Sequence, residues 1–236
     1  MFYRPETHGD EIWIVSGRPD IMTEAPDVEK LALGDISRRQ AHWVDARTIA
    51  WRVPPREGAS YYLHSCRDAG LELTKGGVKG GMQIELEYDS EGLPADVRRK
   101  FPHLAGFRAF KIPETAMERA LGFLKGQLAV SMMGPDGMLA TATGVQIPGA
   151  LDDLYAYDGP LGVTWERAAP TVRVWAPTAQ QVWLHLFPDT MTPEPEAVIP
   201  MDEIDGVWTT MGESDWKGKY YVYEVKVFMP QSGAIV

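Results

Sequence analysis

Apolar and polar residues alternate with a period of two along most of this chain. Val172, Val174 and Ala176 fall on one face of an extended segment, and Val182, Leu184 and Leu186 on one face of the next. Tyr221, Tyr223, Val225 and Val227 do the same within Tyr220–Phe228. Tyr61–Ser65 and Gln83–Tyr88 also alternate, while Glu11–Val15, Leu128–Met133, Met138–Thr143 and Val207–Met211 are short β-prone runs. Ala41–Trp51 reads as two short strands around the polar turn Asp45-Ala46-Arg47. Gly134-Pro135-Asp136-Gly137 is a hairpin turn, and the glycine-rich stretch Thr74–Gly81 reads as a hairpin loop.

Helical signals are few. Pro94 opens a short segment that Pro102 closes. Thr115 and Glu118 have capping-box spacing ahead of Ala120, Leu121 and Leu124. Helices do not alternate with strands, so this span holds no (β/α) barrel, which alone needs roughly 250 residues. The pattern predicts an all-β protein: two immunoglobulin-like β-sandwiches in tandem, a short extended N-terminal segment and few short helices. Pro26–Ser37 reads as a linker and Asp158–Gly162 as a turn cluster before a fresh strand series. The expected parts are residues 1–37, 38–158 and 159–236.

Composition narrows the chemistry. A net charge of −10 with scattered basic residues argues against nucleic acid as a partner. The cluster Arg98-Arg99-Lys100 reads as the exposed last turn of a helix. No apolar run reaches the roughly 20 residues of a membrane helix, so no membrane partner is expected. The start has no signal-peptide pattern, which leaves a cytosolic chain or one cut from a longer polypeptide. The single cysteine, Cys66, allows no intrachain disulfide and reads as a small buried apolar residue. The five histidines, His8, His42, His64, His103 and His185, show no paired spacing, so neither metal nor other cofactor is expected.

Catalytic candidates are weak. Asp152-Asp153 is the most tempting acidic pair, but adjacent residues on an extended chain point opposite ways, and turn or capping roles fit better. Ser65 and Ser131 lack a nucleophile-elbow context. No catalytic residue is therefore expected within the chain.

The string TVRVWAPTAQQVWLHLF, Thr171–Phe187, resembles the opening strands of family 48 carbohydrate-binding modules, and Gly206–Phe228 resembles their central strands. AHWVDARTIAW, YYLHSC, EGLPADVRRKFPHLAGFRAFKIP and PGALDDLYAYDGPLG resemble, in that order, the N-terminal domain of pullulanases and plant limit dextrinases. The leading FYRPETHGDEIWIVSGRPDIMT resembles the tail of a family 41 starch-binding module; without the rest of that sheet, residues before about Ser37 are expected to be loosely held.

The resemblance implies the non-catalytic N-terminal portion of a family 13 debranching enzyme that hydrolyses α-1,6 branches in starch, pullulan or glycogen. Its partners would be α-glucan and the catalytic (β/α)8 barrel of the same polypeptide, and this span alone would be inactive. By strand parity Trp175 lies on the outer face of its sandwich, where it is expected to pack against the barrel. Trp183 shares outward parity, and Trp183 and Tyr223 are the candidate sugar contacts. Glycogen-binding relatives carry a tryptophan after the second strand and a lysine on a central strand. Phe187-Pro188-Asp189 and Tyr223 stand there instead, which favours a prop for the barrel. Trp208 and Trp216 read as structural. Two other readings stay open: a free-standing starch-binding protein, and a pair of immunoglobulin-like modules for protein contact.

Overall fold

The computed structural model describes residues 33–166 and 168–236, together with a short ladder that pairs Phe2–Tyr3 antiparallel to Ile12–Trp13. That ladder supplies a partner for part of the expected strand Glu11–Val15. The rest of that strand, most of the Pro26–Ser37 linker and the expected loose hold on the leading segment lie outside the described residues.

The first unit is built on one sheet. Its strands are β1 (Gly34–Asp35), β2 (Ala41–Trp43), β3 (Thr48–Trp51), β4 (Ser60–Cys66), β7 (Met82–Asp89), β8 (Arg108–Lys111), β9 (Gln127–Met133) and β10 (Leu139–Gln146), with β5 (Glu72–Thr74) and β6 (Gly77–Lys79) forming a separate hairpin. Their order is β9-β4-β7-β8-β3-β2-β10-β1, and β9 also pairs with β10. That last pairing closes the ring. β10 makes it possible because it runs antiparallel to β9 through Thr141–Gly144 and parallel to β2 at Val145 and Gln146. The expected sandwich is therefore a flattened closed sheet, with its two faces joined through one long strand.

Hydrophobic burial explains this unit. Trp43, Ile49, Leu63, Ile84, Phe110 and Phe123 are fully buried in one cluster. The Tyr61 and Phe110 rings lie 4.6 Å apart between centroids. β4 is buried on both faces over its second half, which is why its alternation fades toward Cys66. Cys66 itself is buried, and its Sγ accepts the Gly70 N–H at 3.2 Å.

Among the described residues, three short helices decorate the sheet. α1 (Ala95–Lys100) follows Pro94 and leaves Arg98, Arg99 and Lys100 exposed in its last turn. α2 (Met117–Phe123) is preceded by a 3-10 turn, Glu114–Ala116. The expected capping box does not form: Thr115 lies inside that turn, Ala116 is the capping position, and no side chain caps the helix. α3 (Pro148–Leu154) has no counterpart in the periodicity. Proline in its first turn and Gly149 buried against Val44 start it, where the sequence reads as a turn.

The second unit is a two-sheet sandwich. One sheet orders β11 (Gly162–Glu166), β12 (Ala169–Trp175), β16 (Val207–Met211) and β15 (Asp202–Ile204) as β11-β12-β16-β15. The other orders β13 (Ala179–Phe187), β14 (Ala197–Pro200), β17 (Tyr220–Met229) and β18 (Ala234–Ile235) as β14-β13-β17-β18. The expected inward residues of β13 and β17 stand side by side in one sheet: Val182 pairs with Val225, Leu184 with Tyr223 and Leu186 with Tyr221. Val172, Val182, Leu184 and Trp208 form the buried centre.

One buried polar pair sets an acid sensitivity. His64 and Ser131 sit inside the first unit with His64 Nε2 and Ser131 Oγ 2.7 Å apart. Burial pushes the His64 imidazole down from 6.5 to about 4. Its folded-state value is thus below its unfolded one, so the unfolded chain takes up the proton first. The stability this neutral histidine allows is fully present above pH 6.5 and is lost as pH falls toward about 4. The loss should approach about 3 kcal/mol. In urea titrations at both ends of this window, His64→Gln should lose less stability than the parent chain. Equal losses would assign the acid sensitivity elsewhere.

Candidate functional site

The densest set of specific contacts lies where the two units meet. It begins with a defect in a strand. β13 pairs Ala179 with Val227 and Gln181 with Lys226, which leaves Gln180 as the extra residue of a bulge. A bulge re-aims one side chain out of the regular alternation. Gln180 is buried, at 7% exposure, and its Nε2 donates to Arg67 O at 2.8 Å and Lys125 O at 2.9 Å. Both carbonyls belong to the first unit, one just after β4 and one just after α2. The nitrogen of a primary amide carries two N–H groups and so serves two such acceptors at once without a charge.

Around this clasp the contacts alternate in direction. The Lys125 ammonium pairs with the Glu203 carboxylate and stands 5.5 Å from the centroid of the Trp208 ring. Trp208 Nε1 donates to Ala176 O at 2.9 Å, which fixes the indole. Trp175 Nε1 donates to Tyr155 O at 2.8 Å, so it reaches back onto the first unit. Gly206, at φ 78°, lets the β15–β16 turn approach Tyr155: a Cβ there would meet Tyr155 Cδ1 at 2.7 Å. Burial here, with the nearby Glu203 and Asp205 carboxylates, holds the Tyr155 phenol above its usual value.

The sequence-level candidates are placed as follows. Trp175 is on the outer face of β12 with 38% of its surface exposed, its indole N–H held by Tyr155. Trp183 is on the outer face of β13, opposite Glu224 on β17 and Pro200 on β14. Tyr223 points the other way, into the sandwich, where its hydroxyl donates to Arg173 O at 3.3 Å. Burial, and Tyr221 beside it, push its phenol well above the ordinary value. Strand parity thus separates Trp183 and Tyr223 onto opposite faces.

Asp152 and Asp153 lie on α3 rather than on an extended chain. Asp153 Oδ2 accepts the Ala46 N–H at 2.8 Å, and Asp152 pairs with Lys100 at 3.1 Å. Both carboxylates hold structure. His64 and Ser131 have dyad-like spacing, but at 4% and 0% exposure no substrate can reach them. Folding also brings His42 within 5.9 Å of His103, between ring centroids and edge-on. Their separation in the sequence hides this. Burial, then the neighbouring His103, lowers the His42 imidazole. Among the described residues no group of three or more His, Cys, Asp or Glu side chains could hold a metal ion, and no helix is long and apolar enough to cross a membrane.

Comparison with known proteins gives this seam a context. Residues 38–153 match the pullulanase N2 domain family, and residues 160–234 match carbohydrate-binding module 48, the isoamylase N-terminal domain. Pullulanase 1, chloroplastic, of Arabidopsis thaliana is 41% identical over 194 residues, covering 82% of this chain and 20% of that protein. A Klebsiella pneumoniae pullulanase is 31% identical over 224 residues, covering 93% of this chain and 20% of its own length. The ligand-free structure of PulA from Klebsiella pneumoniae superposes with a TM-score of 0.77 at 32% identity, over 89% of this chain and 20% of that one. Its maltotriose complex gives 0.77 at 31% identity, over 91% and 23%. This chain therefore spans about a fifth of the length of the relatives it matches.

The clasp makes a calorimetric prediction. Gln180→Ala strands two carbonyls at a buried seam and should cost about 2 kcal/mol. It should also split one unfolding transition into two, with the second unit melting first. A single, unshifted transition would show that Gln180 does not couple the units.

Proposed function

We propose that the chain, whose residues 38–153 match the pullulanase N2 domain family and residues 160–234 carbohydrate-binding module 48, is the non-catalytic front of an enzyme that hydrolyses α-1,6 branch linkages in α-glucans such as starch, pullulan or glycogen. Its task is to hold and orient the catalytic portion, a (β/α)8 barrel, with weak α-glucan contact as a secondary role. The observation that carries this reading is the seam. A buried clasp, a charge pair and the Trp175 N–H bond to Tyr155 join the two units into one rigid support, which a scaffold needs and two independent binding modules do not.

The surface supports the same reading. Trp175 is anchored through its nitrogen yet leaves part of its ring open, and this open part is the surface we assign to the catalytic portion. Met211, Val222, Ile204 and Tyr220 are also exposed on the second unit. Of the two sugar-contact candidates, Trp183 alone lies on an outward face, and Tyr223 serves the core. Hydrolysis of a glycosidic bond needs two carboxylates set roughly 5–10 Å apart across an open cleft. The acidic pair favoured by the sequence is committed to Ala46 and Lys100.

Incubated with pullulan, the purified chain should release no reducing sugar. Joined to a pullulanase catalytic barrel, it should raise the barrel's thermal midpoint, and Gln180→Ala should remove much of that gain. Sugar release in proportion to the amount of chain added, or a barrel indifferent to the seam, would overturn the scaffold reading.

A further inference from the structure

A second feature of the seam has the chemistry of a ligand site. A cleft of about 370 Å³ opens between the units, within the roughly 300–1,000 Å³ usual for small-molecule sites. One wall is the turn around Ile36–Arg39 with the start of β9 and the end of β10. The other is Phe228 and the Pro230–Gly233 turn that joins β17 to β18. Leu128, Val145, Ile147 and Phe228 give apolar surface, and Gln127, Gln146, Gln231 and Ser232 give neutral polar groups. Among the described residues Arg39 is the one charged residue lining it, and no carboxylate does, in a chain of net charge −10. The lining disfavours a cation and suits a neutral polyhydroxylated ligand, whose C–H faces lie on the apolar surface while amides both donate to and accept from its hydroxyls.

The polar groups are already oriented. Gln127 Oε1 accepts the Leu71 N–H at 2.9 Å, which leaves the amide N–H groups of Gln127 as donors. Gln146 Nε2 donates to Arg39 O at 2.8 Å, which leaves its Oε1 as an acceptor. Arg39 sits in the left-handed region at φ 42° and forms no ion pair among the described residues. Gln146 holds this conformation from one side, and the Gln40 N–H bond to Thr143 Oγ1, at 3.0 Å, holds it from the other. Gly144 lies so close beneath Arg39 that a Cβ there would meet its Cγ at 2.6 Å. Backbone strain of this kind persists only where the surroundings enforce it, and it gathers at ligand clamps. The Gln180 clasp keeps the two walls together, so the cleft needs no ordering before it binds.

We propose that this cleft binds a short α-1,4-linked glucan segment, at a site separate from the outer face that carries Trp183. The choice of α-glucan rests on the function proposed above. The test is calorimetric titration of the 236-residue chain with maltotriose and maltoheptaose. It is repeated in Trp183→Ala, and in Trp183→Ala combined with Gln231→Ala or with Ser232→Trp, which fills the cleft. Circular dichroism melts verify that each variant folds.

Binding with Kd of about 1 mM is expected to survive Trp183→Ala. Gln231→Ala should weaken it about fivefold and Ser232→Trp should abolish it. Binding lost in Trp183→Ala alone, or unchanged in folded Ser232→Trp, would overturn the cleft while leaving the α-glucan reading in place. Equal binding of cellohexaose would overturn the α-linked ligand class. No heat at about 10 mM maltoheptaose would overturn the cleft proposal, and the scaffold role would still be decided by the barrel-fusion assay.

Discussion

A buried amide lies at the centre of the seam between the two units of this chain. Gln180 satisfies two backbone carbonyls of the first unit from a bulge in the second. Buried carbonyls without partners are costly, and a side chain that serves both ties the position of one unit to the backbone of the other. The Lys125–Glu203 pair, the Lys125 ammonium beside the Trp208 ring and the Trp175 N–H bond to Tyr155 then act on surfaces already held in register. Without the clasp these outer contacts would be ordinary surface pairs, each worth about 1 kcal/mol or less.

Rigidity of this kind fits a supporting role. The first unit closes its sheet on itself through β10, which leaves no long open edge for another strand to pair with. The second unit keeps two separate sheets, and several large apolar side chains on it stay exposed. Under the proposed function, such a joined pair would serve as a base for a larger catalytic body.

Much of the architecture was legible in the sequence because half-buried strands must alternate. β13 and β17 show their inner faces directly as Val182, Leu184 and Leu186 against Tyr221, Tyr223 and Val225. The hairpin at Gly134–Gly137 and the short helix after Pro94 were legible through local turn and capping chemistry. Other features were not. β8 is four residues long, too short for a period to stand out. α3 begins with Pro148 and Gly149, which read locally as a turn. The capping box at Thr115 has the right spacing, but the preceding 3-10 turn places Ala116 at the cap instead.

The sequence by itself determined the all-β class, the two-unit order, the inward and outward faces of the sandwich strands and the resemblance to known modules, because each depends on residues near one another in the chain. Only the tertiary structure decided the closure of the first sheet through β10, the bulge that turns Gln180 toward Arg67 and Lys125, the grip of Tyr155 on Trp175, and the cleft shared by Arg39 and Phe228. These are contacts between residues far apart in sequence. No local period encodes them, and they exist only once both cores have packed.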